Sequence, residues 1–322
     1  MTEKGAFSGP YKITEKKDNK EFKIEKWRSD ELDSPSPPKT ISIFSTSENP
    51  IKLAFNSATD CLDGVPVDKQ DVDVLKKKEW AAVPSEITSE TFIILNPNNV
   101  PIEARRHLYG LVDSKKVVEL LKISSFIPAF GLIPNGMSGL LSETDIAEIK
   151  KESAAEYKGP KIKFSLDFEQ DSDTERKIAE YLKSIWSTSK IQVTLNPLSK
   201  KDKLTRMFTR KSEAVIGRKG VDYPDGFSVL TYFKGKYESN YFHVNDTKID
   251  LSISEALAEF NQDKRDELYR KIQISILKHF TNIPLFFGSQ ASGLWSNKVK
   301  LVPSHPIGFH SMQLETIEMR HK

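Results

Sequence analysis

The sequence predicts a mixed α/β protein of two domains, and three observations carry that reading. The chain has 322 residues, enough for about two domains with a sizeable core. Residues Lys161 to Leu198 spell a strand, a helix and a second strand. Further on, Leu268, Ile272, Ile276 and Phe280 recur at helical spacing and lead into Asn282-Ile283-Pro284-Leu285-Phe286-Phe287, a buried strand.

The N-terminal part reads as short strands: Tyr11 and Ile13, then Phe22 and Ile24, then Ile41, Ile43 and Phe44. Asp33-Ser34-Pro35-Ser36-Pro37-Pro38 between the last two is a surface connection, because proline cannot donate to a sheet. Ile51 to Phe55 reads as a short helix, Asp60 to Pro66 as a loop of turn residues, and Val72 to Trp80 as a helix. Thr91-Phe92-Ile93-Ile94-Leu95 is a strand ended by Asn96-Pro97-Asn98-Asn99. Pro101 opens a helix carrying Leu108, Leu111, Val112, Val117, Leu120 and Leu121. Ile127 to Gly136 is a Pro/Gly-rich loop of a length that is usually functional or packed.

In the strand–helix–strand unit, Ile162, Phe164, Leu166 and Phe168 alternate as a half-buried strand. Ser172-Asp173-Thr174-Glu175 is a capping box, and Ile178, Leu182, Ile185 and Trp186 form the apolar stripe of the helix it opens. Ile191, Val193 and Leu195 make the return strand, parallel to the first through a right-handed crossover. Ile253, Leu257 and Phe260 lie on one face of a further helix. Gly288 to Ser292 reads as a small-residue crossing, and Leu294 to Met319 as strand and loop.

Composition narrows the function. A net charge of +3 is too small to point to nucleic acid, and Lys76-Lys77-Lys78 fits a solvated helix face. Cys61 is the single cysteine, which excludes an internal disulfide and a thiolate metal cluster. No apolar run is long enough to span a bilayer. The opening MTEKGAFSGPYKITEKK has no apolar h-region, so the expectation is a chain without a signal peptide that as written stays in the cytoplasm. No nucleophile elbow, phosphate loop or GxGxxG fingerprint is present. The six histidines lack zinc spacing, and His305 and His310 read as two loop histidines. The expectation is a non-catalytic protein with no cofactor and no metal.

The most suggestive stretch is Lys211 to Leu230. Ala214-Val215-Ile216 reads as a buried strand ending in Arg218-Lys219-Gly220, and Val221 to Gly226 forces a turn through Pro224. Asp222 at that turn has two readings. One is a turn-former bound to nearby amides; the other is a fixed anion for a cationic ligand group.

Five motifs, in order, carry a resemblance. Ser8-Gly9-Pro10-Tyr11-Lys12 looks like a "GTGPYKL" strand, and Pro101 to Asp113 is similar to a "DVRVRQAL…AID" helix. Pro128 to Pro134 matches a "PA.G.IPP" loop, and Val221-Asp222-Tyr223-Pro224-Asp225 an "ADYPDP" turn. Arg265 to Leu285 is similar to an "R..LY……IPL" helix and strand. Together they resemble the family 5 extracellular solute-binding proteins, the oligopeptide- and dipeptide-binding components of ABC importers.

The resemblance implies a periplasmic-binding-protein-like fold of type II, two mixed-sheet lobes joined by hinge strands, with the N-terminal part of the family fold missing. It places residues 1–115 and 291–322 in an incomplete first lobe and 116–290 in a second, with hinge crossings near Asp113 and Gly288. It further implies a peptide or similar small solute as ligand, ABC permease subunits as partners, and a periplasmic or cell-surface location. By the same resemblance Asp222 holds a peptide's α-ammonium, with Lys219 and Tyr223 completing the ligand-binding set. Two positions depart from the pattern: Lys219 stands where relatives usually have Trp, and Ile216 where an Arg is often found. Lys219 has two readings, pairing with Asp222 or capturing a ligand carboxylate. The runner-up function is a cytoplasmic ligand-sensing or protein-interaction module on the same scaffold. The incomplete first lobe should also be the less stable one, because its sheet keeps an unpaired edge.

Overall fold

The structure, a computed structural model, describes residues 10–18, 20–27, 37–44, 50–56, 58–66, 69–84, 89–123, 126–221, 223, 225–235, 240–288, 291–301 and 317–320. The chain divides into two compact units, Met1–Glu86 with Ser289–Lys322, and Ile87–Gly288.

The first unit begins with β1 (Tyr11–Lys17), β2 (Glu21–Lys26) and β3 (Thr40–Phe44), an antiparallel sheet in that order. Its register sets Ile13, Ile24 and Ile41 opposite one another, and Phe22 opposite Ile43. Side chains alternate along a strand, so these five share one face. The other face carries the ion pairs Lys17–Glu21, Lys23–Glu15 and Lys23–Glu25. Next come α1 (Pro50–Phe55), β4 (Cys61–Pro66), α2 (Lys69–Lys77) and β5 (Ala81–Pro84). The loop expected over Asp60 to Pro66 is therefore a strand. Its partner comes from the far end of the chain, which no local pattern announces.

The second unit is built on a six-stranded mixed sheet. In chain order its elements are β6 (Ser89–Leu95), α3 (Ile102–Leu111), α4 (Ser114–Leu121), β7 (Ile127–Pro128), α5 (Glu143–Ser153) and β8 (Ile162–Glu169). There follow α6 (Asp173–Trp186), β9 (Ile191–Leu198), α7 (Lys200–Phe208), β10 (Ala214–Gly220), α8 (Phe227–Leu230), α9 (Thr247–Ala258), α10 (Gln262–Leu277) and β11 (Asn282–Phe287). The sheet order is β7-β11-β6-β10-β8-β9. β8 pairs parallel with β9 and β10, as the strand–helix–strand reading requires, while β6 runs antiparallel to β10 and β11.

Alternation along the central strands fills two apolar layers. Ile93, Leu95, Ala214 and Ile216 face α3, α4 and α6, packing with Leu108, Leu121, Leu182 and Trp186. Phe92, Ile94 and Val215 face α9 and α10, packing with Ile253, Ile272, Ile276 and Phe242. The single helix expected after Pro101 is two, because the Asp113 side chain accepts from Lys115 N and starts α4 afresh. Residues 87–115, which the family layout puts in the first lobe, lie in the second unit by their contacts. The reason is hydrogen bonding: β6 sits between β10 and β11.

The chain then returns to the first unit as β12 (Ala291–Trp295), which lies between β4 and β5, followed by β13 (Val299–Leu301) and β14 (Glu318–Met319). Among the described residues two small clusters hold this part: Ala54, Leu75, Trp80 and Leu294, and separately Trp295, Val299 and Ile317, with Cys61 and Met319 packed beside the latter. Among the described residues no helix is long and apolar enough to cross a membrane.

Candidate functional site

β8, β9, β10 and β11 all run in one direction, so their C-terminal ends share one edge of the sheet with the start of β6. In open α/β sheets ligands bind outside that edge. Both places where the chain passes between units, before Ser89 and after Gly288, also fall there. Gly288 N donates to Ser89 O at 2.9 Å, and Ser89 Oγ donates to Gly288 O at 2.7 Å. Arg218 closes the network, its Nε and Nη2 donating to Ser89 Oγ at 3.1 and 3.0 Å. Gly288 has φ of 128°, a conformation L residues rarely adopt, so glycine is required where the chain leaves the unit. Along the same edge, the buried Lys203 ammonium pairs with Glu175 and Glu169, tying α7 to the start of α6 and the end of β8.

The turn after β10 is clamped from the far side. Asp225 Oδ1 accepts from Phe227 N and from the Tyr269 hydroxyl of α10, both at 2.8 Å. Burial and the Asp225 hydrogen bond together push the Tyr269 phenol above its usual range, so it stays a donor. Ser228 Oγ lies within hydrogen-bonding distance of the Tyr223 and Asp225 carbonyls. The loop over 131–139 is held by the fully buried Gln273, whose Oε1 accepts from Leu132 N and Ile133 N and whose Nε2 donates to Gly139 O. Tyr269 and Gln273 thus tie α10 to Asp225 and to the 131–139 loop.

Of the three residues expected to meet a ligand, Tyr223 is 41% exposed at this turn, and Asp222 lies outside the described residues. Lys219 points the other way. Its ammonium is buried 3.0 Å from Glu90 Oε2, directly across the β6–β10 ladder. Neither group has another polar partner among the described residues. The Lys219 ammonium also lies over the rings of Phe233, Phe242, Phe92 and Tyr232. Burial raises the Glu90 carboxyl to about 7 against the pull of Lys219, and burial lowers Lys219 against the pull of Glu90. Among the described residues the partner that Lys219 takes is Glu90.

Sequence reasoning missed Glu90, Gln273 and the clamping role of Tyr269. Among the described residues no group of three His, Cys, Asp or Glu could hold a metal ion. His305 and His310 lie outside the described residues.

Comparison with known proteins follows from this frame. Many solved structures share the fold, 110 chains in all. An ABC transporter substrate-binding protein, CtaP from Listeria monocytogenes, superposes with a TM-score of 0.78 at 15% identity over 97% of this chain and 66% of its own. The Haemophilus influenzae OppA complex with the peptide RPPGFSPFR gives 0.70 at 17% identity, covering 97% and 64%. A dipeptide-binding protein from Pseudoalteromonas sp. SM9913 in complex with Met-Leu gives 0.71 at 15%, covering 97% and 64%. The chain therefore spans about two thirds of the length of these relatives. A sequence search of curated proteins finds no match. The fold is that of the type II periplasmic binding proteins. With residues 2–241 matching the family model "Bacterial extracellular solute-binding proteins, family 5 Middle", the chain belongs to the family 5 solute-binding proteins.

Proposed function

We propose that this chain binds peptides or similar small solutes at the sheet edge described above, as part of the ligand-capturing component of an ABC importer, and catalyses nothing. The observation that carries the reading is the clamped turn at the C-terminal end of β10, where Asp225 is fixed by α10 and Tyr223 is exposed. In this reading Asp222 accepts hydrogen bonds from a peptide's α-ammonium. A charge-assisted contact at one end fixes the ligand while leaving its side chains free to vary. Tyr223 flanks that contact. Permease subunits are the partner, and the periplasm or cell surface is the location.

A thermal-shift measurement with Met-Leu and with RPPGFSPFR, run beside Asp222→Ala, tests the proposal. A ligand that binds only the folded state raises the melting temperature by mass action, by about 2.7 kcal/mol of added stability at a hundredfold excess over Kd. The expected result is a peptide-dependent rise, weakened in the variant by about 10- to 100-fold in affinity, the worth of one hydrogen bond to a charged group. A cooperatively melting chain that responds to neither peptide overturns the reading.

A further inference from the structure

The Lys219–Glu90 pair lies near the end of β10, and its surroundings say more than burial does. Side-chain exposures are 3% and 1%. The ammonium lies 4.7 Å from the Phe233 ring centre, 5.1 Å from Phe242 and 5.8 Å from Phe92. Phe233 and Phe242, stacked at 4.2 Å, belong to the segment that follows the turn, whereas Phe92 belongs to β6. Gly217, on the same face as Lys219, makes room for Phe92, since a Cβ there would come within 2.3 Å of the ring. One cation thus touches the strand before the turn, the segment after it, and the strand that brings the chain into the unit.

Cohesion alone does not call for this arrangement. Two buried charges lose hydration that their attraction restores only with full hydrogen bonding, and apolar replacements of similar volume often hold a core as well or better. This pair lacks further hydrogen bonds among the described residues. What an ion pair adds is a unique register, because a charge finds its partner in one alignment and apolar groups slide. We propose that Lys219 and Glu90 are positioning residues of the turn after β10, fixing where the chain leaves that strand and so where the turn meets a ligand. The last clause rests on the peptide-binding reading; the positioning of the turn does not.

The test uses the full chain, an apolar double variant Lys219→Met with Glu90→Leu, and the conservative Lys219→Arg. Melting temperature and amide exchange across residues 220–227 are measured without peptide, and affinity for Met-Leu separately. The apolar variant is expected to melt at or above the wild-type temperature. Its turn amides should exchange about tenfold faster or more, with Met-Leu affinity lower by about the same factor, equivalent to about 1.4 kcal/mol. Lys219→Arg, which keeps a cation beside Glu90, should keep the turn protected. Unchanged turn exchange in the apolar variant overturns the proposal. So does a joint loss of melting temperature and turn protection, which marks the pair as cohesion alone. If wild type binds no Met-Leu, the ligand reading fails while the exchange measurement still decides the positioning.

Discussion

Burial drives the Glu90 carboxyl up to about 7, and the groups around it are Lys219 of β10, Tyr109 of α3 and Tyr241. In the unfolded chain that carboxyl returns to 4.5. Between the two values the folded chain keeps a proton that the unfolded chain has released, so this residue makes stability fall as pH rises from about 5 to about 7. His243 acts with the opposite sign. Burial, helped by Arg210 and Arg105, lowers its imidazole to about 4 from 6.5, so its contribution is lost as pH drops through that window. Glu90→Gln should therefore make stability rise more steeply with pH between about 5 and about 7, as read by urea midpoints. A variant with the wild-type slope would show that Glu90 does not titrate there. Lys219 stood among the ligand contacts by resemblance, at the position where relatives usually have Trp. Its counter-ion belongs to a strand far earlier in the chain, and only the β6–β10 register brings the two together.

Elements whose partners are local were legible, and those with distant partners were not. The unit from β8 through α6 to β9 follows from its own alternation and cap, and Ser172 does accept from Glu175 N. α5 and α7 went unread, although Ser142 with Asp145 forms a capping box and Ser199 accepts from Asp202 N. Their polar faces hid the apolar period. α10 shows what an element-scale reading can miss: its buried face carries Gln273 between Ile272, Ile276 and Leu277, an amide that must find partners inside the core. It finds them in the 131–139 loop. Gln273→Leu would leave two buried N–H groups and one carbonyl unpaired at about 1–3 kcal/mol each, so a loss of at least about 3 kcal/mol is expected from denaturant unfolding. Proteolysis within that loop should accelerate in parallel.

At the scale of the whole molecule, the two units differ in how much core their described residues form. Ile87–Gly288 has two large apolar layers, one on each face of its sheet. Among the described residues the other unit shows two small clusters, and Ile13, Phe22, Ile24, Ile41 and Ile43 of the β1–β3 sheet belong to neither, although Ile24 is buried. A three-stranded sheet with one apolar face gains its stability by covering that face. Amides of β1–β3 should accordingly exchange much faster than those of β6, β10 and β11. Equal protection in both groups would sink this expectation. The mixed α/β class was legible from length and periodicity; the place of β6 in the central sheet was not, because its partners follow it by more than a hundred residues.

Cys61 turns that difference into something that can be followed in a cuvette. It is the only thiol in the chain, it lies on β4 beside the Trp295 cluster, and burial with the Asp60 charge pushes it up to about 12. The nucleophile is the thiolate, so a disulfide reagent at neutral pH finds almost none until this unit opens. The colour released on labelling the native protein then clocks the breathing of one unit alone, since Ile87–Gly288 contributes no sulfhydryl. Adding Met-Leu to the same cuvette asks whether the peptide slows that breathing.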